Sequence, residues 1–415
     1  MAPFAVSPIR TLLMEARSGV TPAPPFYGQR IALFFGGYFV LGGITLPFFP
    51  LWLETRGHTD TEIASLVAIP MALRVLLTPL AGLFADRAPN RRFAVRIFAV
   101  ASLSVFLFAW PAASYWPLLI TAGAALVLYQ VSLPVGEALA LTGVRRFGLD
   151  YGRMRFTGSL GFIVTNLAAG AILATVDAEA IYWMMLAGLA VVAIVSLTLP
   201  VTPPAVRAID DAERRPETRS ARAVLANPAF LALLAAGGLV QASHGVLYSF
   251  GSLHRQSLGF SSVEIGMLWA IGVVCEIGLF LWSGAAVRRT GDYGLLMIGT
   301  IAAVLRWSLF PLDLSFAGFF LIQCLHGLTF GATYLGTQHA IARIVPDEMT
   351  ASAQGIYAMM TGILMAGITA LAGPLYSSLG HLAFATMIVP PLLAILALVA
   401  YRRLAASPKA PAAGG

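Results

Sequence analysis

The sequence predicts an all-α integral membrane fold: twelve transmembrane helices in two six-helix halves, with both termini cytoplasmic. Three observations carry this. Of the 415 residues, 58% are hydrophobic and only 11% charged, with a mean hydropathy of +0.82, whereas soluble domains carry about 25% charged residues. Long apolar runs recur from near residue 27 to near residue 402, and the stretch divides into segments of the ~20 residues a helix needs to cross a bilayer. They lack the strict alternation of barrel strands, so helices are the remaining way to satisfy the backbone in lipid. Finally, the arginines collect in alternate loops. Arg87, Arg91, Arg92 and Arg96 form one group, Arg145, Arg146 and Arg153 a second, Arg288 and Arg289 a third; Arg343 and the pair Arg402–Arg403 follow. The intervening loops hold Glu54, Asp60, Glu62, Asp177, Glu179 and Asp313. A net charge of +7 distributed in this way follows the positive-inside rule and does not mark a nucleic-acid surface.

In chain order, residues 1–26 form a cytoplasmic tail without signal-peptide architecture, since Ile9–Met14 is too short for an apolar core. The N-terminal half, 27–200, holds spans at 27–53, 61–82, 93–113, 115–142, 154–175 and 180–200. Residues 201–226 carry Asp210, Asp211, Glu213, Arg214, Arg215, Glu217 and Arg219 among prolines and read as a cytoplasmic linker. The C-terminal half, 227–402, holds spans at 227–253, 262–284, 293–312, 315–342, 352–374 and 380–402; a cytoplasmic tail, 403–415, closes the chain. The halves echo each other. Gly82-Leu83-Phe84-Ala85-Asp86-Arg87 follows the second span, and Gly284-Ala285-Ala286-Val287-Arg288-Arg289 follows the eighth. In the first copy Gly82, Asp86 and Arg87 read as a motif that links neighbouring helices and gates the inner face, although any short cytoplasmic loop tends to be basic. Two similar six-helix halves around a midplane site are a plan of membrane transporters.

Charges inside the membrane cost about 2.5–3.5 kcal/mol on insertion scales, so those retained are candidates for function. Arg74, Glu137, Arg155, Glu276, Arg306, His244 and His326 all fall within or at the ends of predicted spans. Helical spacing sorts the polar residues into stripes: Arg155, Ser159, Phe162 and Asn166; Gln241, His244, Tyr248 and Ser252; Trp269, Glu276 and Ser283; Gln323, His326, Phe330, Thr333 and Thr337. Such stripes are expected to face a shared aqueous cavity. Each has a structural alternative: Glu137 with Arg155 as a helix-closing pair, His326 and His244 as donors to a neighbouring helix, Arg74 as a cation paired locally. The glycines of Gly36-Gly37 and Gly42-Gly43 are expected to serve helix packing. Cys275 and Cys324 read as small membrane residues, not a disulfide or metal site.

At these residues the sequence resembles the major facilitator superfamily. Pro47-Phe48-Phe49-Pro50-Leu51-Trp52-Leu53 is similar to the end of the first helix in the lactose permease family. Glu137, followed by Tyr151-Gly152-Arg153-Met154-Arg155-Phe156-Thr157-Gly158-Ser159, resembles that family's sugar-binding carboxylate and arginine. Arg306 and His326 resemble the arginine and histidine of its proton-coupling cluster. The second half is closer to the phenylpropionate permease family at Gln241-Ala242-Ser243-His244, at Gly266-Met267-Leu268-Trp269-Ala270-Ile271-Gly272-Val273-Val274-Cys275-Glu276, and at Leu325-His326-Gly327-Leu328-Thr329-Phe330. Thr329 stands where the lactose permease family has its proton-carrying carboxylate, and the acid of the eighth helix sits about one turn off that family's pattern.

The resemblance implies a proton-coupled symporter. Glu137, Arg155, Tyr248, His244, Trp269 and Asn166 are the expected substrate contacts. Glu276, His326 and Arg306 are the expected coupling group, with Glu276 the first candidate proton carrier and His326 the second. The excess of Arg74, Arg155 and Arg306 over Glu137 and Glu276, beside aromatic rings, favours an organic carboxylate over a sugar or nucleoside, and both over drug efflux. No cofactor beyond the proton gradient is expected, and no metal. The expected partners are a small molecule, protons and the lipid bilayer, not nucleic acid. The protein is expected as a monomer in a bacterial inner membrane. An enzyme is disfavoured, since neither a His-Glu-x-x-His run nor a Gly-x-Ser-x-Gly elbow occurs; a receptor or scaffold would have little need of midplane charges.

Overall fold

A computed structural model describes residues 23–112, 114–201 and 217–406. The spanning helices, numbered here in chain order, are α1 (Tyr27–Thr55), α2 (Asp60–Arg87), α3 (Arg91–Ala109), α4 (Tyr115–Phe147), α5 (Tyr151–Leu173) and α6 (Ala180–Thr198). They continue as α7 (Pro228–Ser257), α8 (Ser262–Leu281), α9 (Ser283–Leu309), α10 (Phe316–Ile344), α11 (Thr350–Leu379) and α12 (Val389–Ala406). A helix lies at every expected span. Among the described residues, ten segments are long and apolar enough to cross a membrane, one of them running from Asp347 to Ala405 and so containing both α11 and α12. Helix α9 is not among the ten: it carries Arg288, Arg289, Asp292 and Arg306 and is broken at Gly291, whose φ of 67° lies in the left-handed region. The acidic and basic residues of the expected linker at 202–216 lie outside the described residues; beyond them Glu217–Leu225 is helical.

The helix starts follow local chemistry. Thr59 and Ser261 open α2 and α8 with reciprocal capping boxes to Glu62 and Glu264. Asn90, Asp150 and Asn227 cap α3, α5 and α7 with their side-chain oxygens. Several boundaries differ from the sequence expectation: α2, α4 and α11 end about a turn later, at Arg87, Phe147 and Leu379, and α9 begins at Ser283, ahead of its break at Gly291. Helix α7 runs on to Ser257, because its last turn packs against protein and not lipid. Helix α12 begins only at Val389, after short turns at Gly380–Leu382 and Ala383–Thr386.

Within the first half α1 packs on α5 and α6, and α3 on α4 and α6; within the second, α7 packs on α11 and α12, and α9 on α10 and α12. Small residues set the closest approaches, as the paired glycines of α1 suggested: a Cβ on Gly43 would lie 2.5 Å from the Phe162 carbonyl of α5. Between the halves, α2 meets α11, α5 meets α8 and α1 meets α7. The first two contacts exchange under the numbering shift of six that relates the halves.

These contacts lie toward the end that carries the acidic loops. A Cβ on Gly170 of α5 would sit 2.5 Å from the Ser262 carbonyl at the start of α8, and one on Gly373 of α11 would sit 2.7 Å from Thr61 at the start of α2. In α8 the buried residues Ile265, Gly266, Leu268, Trp269, Ala270 and Gly272 all precede Val273. Toward the arginine-bearing end, Glu276 is partly exposed and Tyr334 is 43% exposed. The two halves therefore close on each other at the acidic end and part toward the other.

Candidate functional site

Two irregularities in the second half, and the close packing of one of them, converge on one cluster. Helix α7 is interrupted at Ser243–His244, so that His244 stands at the break with its Nδ1 3.0 Å from the Gln241 carbonyl. Helix α10 contains a wide π-turn, Gly327–Ala332, immediately after His326; such turns add a residue and re-aim side chains. Gly327 lets this turn lie against α8, for a Cβ there would meet the Cys275 backbone at 2.9 Å. That approach places the next residue of α8, Glu276, with its Oε2 3.8 Å from His326 Nε2.

Arg306 of α9 is the hub. It is fully buried, with Nη1 3.2 Å from His244 Nε2, 3.2 Å from His326 Nδ1 and 3.1 Å from Thr329 Oγ1, while Nη2 donates to Gln323 Oε1 at 2.8 Å. A guanidinium has only N–H groups to offer, so a ring nitrogen that bonds to it must present a lone pair. His326 accepting at Nδ1 then carries its hydrogen on Nε2, the atom directed at Glu276. Arg306, His326 and Glu276 thus lie in one line, with the imidazole N–H aimed at the carboxylate across 3.8 Å, longer than a hydrogen bond. Thr329 completes it, with Oγ1 also 3.1 Å from His244 Nε2.

Aromatic rings wall this cluster. Tyr248 lies between His244 and Trp269, with centroid separations of 6.0 and 6.2 Å. The Trp269 indole donates to Ser252 Oγ at 2.9 Å, and that of Trp307 to Ser243 Oγ at 2.9 Å. Phe330 stacks on His326 at 5.3 Å.

The first half contributes a second polar group across the gap. Tyr151 Oη donates to Glu137 Oε1 at 3.5 Å, and Arg155 lays its guanidinium over Phe39 at 4.1 Å and Phe35 at 5.6 Å. Arg155 is close enough to act electrostatically on Glu137, Glu276 and Tyr334, which joins the two halves' charges into one field. Arg74 acts in the same way on Tyr38, which stacks on Tyr129 at 4.1 Å.

The structure thus brings together Glu276, His326, Arg306, His244, Tyr248 and Trp269, with Glu137 and Arg155 facing them. Asn166 stands apart: it is fully buried at the α5–α8 crossing, where a Cβ on Gly266 would lie 3.0 Å from its carbonyl oxygen, and neither amide atom has a hydrogen-bond partner among the described residues. In the loop motif, Asp86 binds Arg91 at 2.9 Å on the next helix, while nothing lies within 4 Å of a Cβ on Gly82. Cys275 and Cys324 are free thiols.

Two groups escaped the sequence reading. Arg255, fully buried near the end of α7, donates from Nη2 to the same Gln323 Oε1 at 3.0 Å. Its signal was present in the sequence, one turn past Ser252 in the α7 stripe, but it lay beyond the expected span end. Asp292, beside Gly291 at the break that precedes the apolar run of α9, accepts from Arg343 at 2.8 Å and from Tyr401 at 2.7 Å. It gives the second half a latch near its arginine-bearing end.

The family model "MFS_1 like family" matches residues 29–385. The chain belongs to that family. As a member of the MFS_1 like family it is a multi-pass membrane transporter of the major facilitator type, not an enzyme. It is 31% identical over 366 residues to the Probable 3-phenylpropionic acid transporter of Escherichia coli (strain K12), covering 86% of this chain and 93% of that one. It is 22% identical over 343 residues to the Maltose permease of Geobacillus stearothermophilus, covering 82% and 85%. Among solved structures, the fold is similar to the nucleoside transporter NupG, with a TM-score of 0.74, 19% identity and coverage of 92% and 99%. It is also similar to an inward-facing bacterial homologue of the human lysosomal transporter Spinster, with a TM-score of 0.70, 15% identity and coverage of 92% and 98%.

Proposed function

We propose that this transporter carries a small organic carboxylate, an aromatic acid foremost, together with a proton by alternating access. The observation that carries the reading is the hub. Arg306 is fully buried and its hydrogen-bond neighbours, His244, His326, Thr329 and Gln323, are all without negative charge in the arrangement its guanidinium requires. Burying a charge without a counter-charge costs several kcal/mol, so an anionic cargo supplies what the protein withholds. Tyr248, Trp269 and Phe330 offer ring faces for an aromatic body, and the E. coli relative bears the name of such an acid.

In this reading Glu276 takes the proton, with His326 the second candidate, and Arg306 senses the cargo. Glu137 and Arg155 hold the cargo from the first half, with His244, Tyr248 and Trp269 opposite; Asn166 supports them from the helix crossing. The arginine loops face the cytoplasm of a bacterial inner membrane, so the gap on that side is the inward-facing state. Gly82, Asp86 and Arg87 act with the Asp292 latch at the inner rim. The working unit is one chain in two halves, 27–200 and 227–402, with no cofactor beyond the proton gradient.

A second reading, a sugar or nucleoside as cargo, rests on the Tyr151–Glu137 hydrogen bond beside Arg155, which suits hydroxyl groups. Uptake into proteoliposomes under an imposed inward proton gradient separates the two. Gradient-driven accumulation of 3-phenylpropionate, and not of maltose or uridine, is the expected result. Accumulation of a neutral solute alone refutes the carboxylate reading. Accumulation of 3-phenylpropionate without dependence on the gradient refutes symport.

A further inference from the structure

The hub is one of two buried cations that share a single amide. Gln323 Oε1 accepts from Arg306 Nη2 at 2.8 Å and from Arg255 Nη2 at 3.0 Å. Both guanidiniums are fully buried. Among the described residues neither has a carboxylate within 4.0 Å. Among the described residues Arg255 also keeps Nε and Nη1 without a hydrogen-bond partner, and Arg306 keeps Nε so. Three ring faces surround Arg255: Phe310 at 5.4 Å, Trp269 at 5.8 Å and Phe319 at 5.9 Å.

The neighbouring groups do not explain this. Ring faces attract a cation but accept no hydrogen bond along the guanidinium edge, so they leave its Nε and Nη1 donors idle. A buried donor left unsatisfied is costly, and a second like charge held by the same amide raises the cost. Arg255 also lies on the sealed side of the hub, near the end of α7 that adjoins the acidic loops, where a cargo bound from the open side does not reach it.

We propose that Arg255, with Gln323 and Arg306, forms a carboxylate-docking site used when the acidic end opens, before the cargo passes to the hub. This rests on the reading that the cargo is an organic carboxylate. Each idle donor, Nε or Nη1, sits beside one N–H of Nη2, and the Nη2 N–H that Gln323 leaves free completes with one of them the pair of parallel donors that a guanidinium offers to a carboxylate. Trp269 and the two phenylalanines then flank the body of an aromatic acid, and Gln323 ties this station to Arg306. In this structure those donors are turned into an aromatic box.

The test uses purified full-length protein and direct binding, read by tryptophan fluorescence, since Trp269 and Trp307 adjoin the two arginines. The probes are 3-phenylpropionate, its primary amide 3-phenylpropanamide, and chloride alone. Wild type is expected to prefer the acid over the amide. In Arg255→Gln that preference falls by about ten- to a hundredfold, the worth of charge-assisted hydrogen bonds. In Arg255→Lys, which keeps the charge and protects the fold, it falls by an intermediate factor because an ammonium lacks the planar fork. A wild type that does not distinguish acid from amide overturns the carboxylate reading and the docking site with it. A wild-type preference that survives unchanged in either variant overturns the docking site alone. So does an Arg255-dependent response to chloride with none to the acid.

Discussion

Replacing Gly170 by alanine is expected to force open the acidic end of the protein. The added Cβ would stand 2.5 Å from the Ser262 carbonyl oxygen, against 3.4 Å for ordinary contact. The crossing of α5 and α8 must therefore part by about 0.9 Å, the difference between those distances, and both sides of the clash are rigid helix. Overpacking of this kind costs about 1–3 kcal/mol. The contact joins the two halves, so the cost falls on the closed form and not on an open one; it shifts their ratio by about 5- to 150-fold. A reporter is available in Ala64, which is fully buried at another contact between the halves, where Gly373 meets α2. In a Cys275→Ala, Cys324→Ala background, the rate at which Ala64→Cys reacts with a membrane-impermeant maleimide reads the opening. Gly170→Ala should accelerate it by that factor, whereas Gly367→Ala, which meets nothing within 4 Å, should not. Equal rates in both, with monodisperse protein, would refute the argument that this crossing seals the path.

Two further outcomes follow from the charged groups. Glu276→Gln removes the carboxylate 3.8 Å from His326; gradient-driven accumulation should disappear while exchange of labelled for unlabelled cargo continues, and retained accumulation would remove Glu276 from the proton path. At the latch, ahead of the apolar run of α9, burial pushes the Asp292 carboxyl up, but the hydrogen bonds from Tyr401 and Arg343 outweigh it and hold the group below its ordinary range. A depressed carboxyl adds stability above the unfolded value, near 3.9, and loses it as pH falls through the folded one. The melting temperature of wild type should therefore exceed that of Asp292→Asn by a constant margin from about pH 8 to pH 5, and the margin should close below about pH 4. A margin that closes between about pH 7 and pH 5 would show that the latch depends on another group.

What could be read in advance divides along a physical line. Hydropathy responds to lipid, so it placed a helix at every span and located Arg306 and His326 as charges in an apolar run. It does not respond to burial by protein. Arg255 follows the polar stretch Ser249–Gly251–Ser252 and looks like the start of a loop, yet α7 continues through it and the neighbouring aromatics enclose it. Asp292 was hidden for the converse reason: a charge beside Gly291 reads as an ordinary turn until Arg343 and Tyr401, each about fifty or more positions away, come to it. The stripe on α10 was only half legible. Gln323 and His326 do share the cluster, but Thr333 packs against Gly299 of α9 and Thr337 against Gly237 of α7, because a spacing rule for an ideal helix fails across a π-turn. Thr329, noticed only for the acid it lacks, proved to be bonded to both His244 and Arg306.

That π-turn also bears on how α10 can move. One residue of an α-helix corresponds to about 100° of rotation, so the extra residue within Gly327–Ala332 sets the phase of the helix on either side independently. The segment with Gln323 and His326 can keep its register with α8 and α9 while the segment from Thr333 onward keeps its own with α9 and α7. Helix α10 therefore behaves as two short rods joined by a slipped thread.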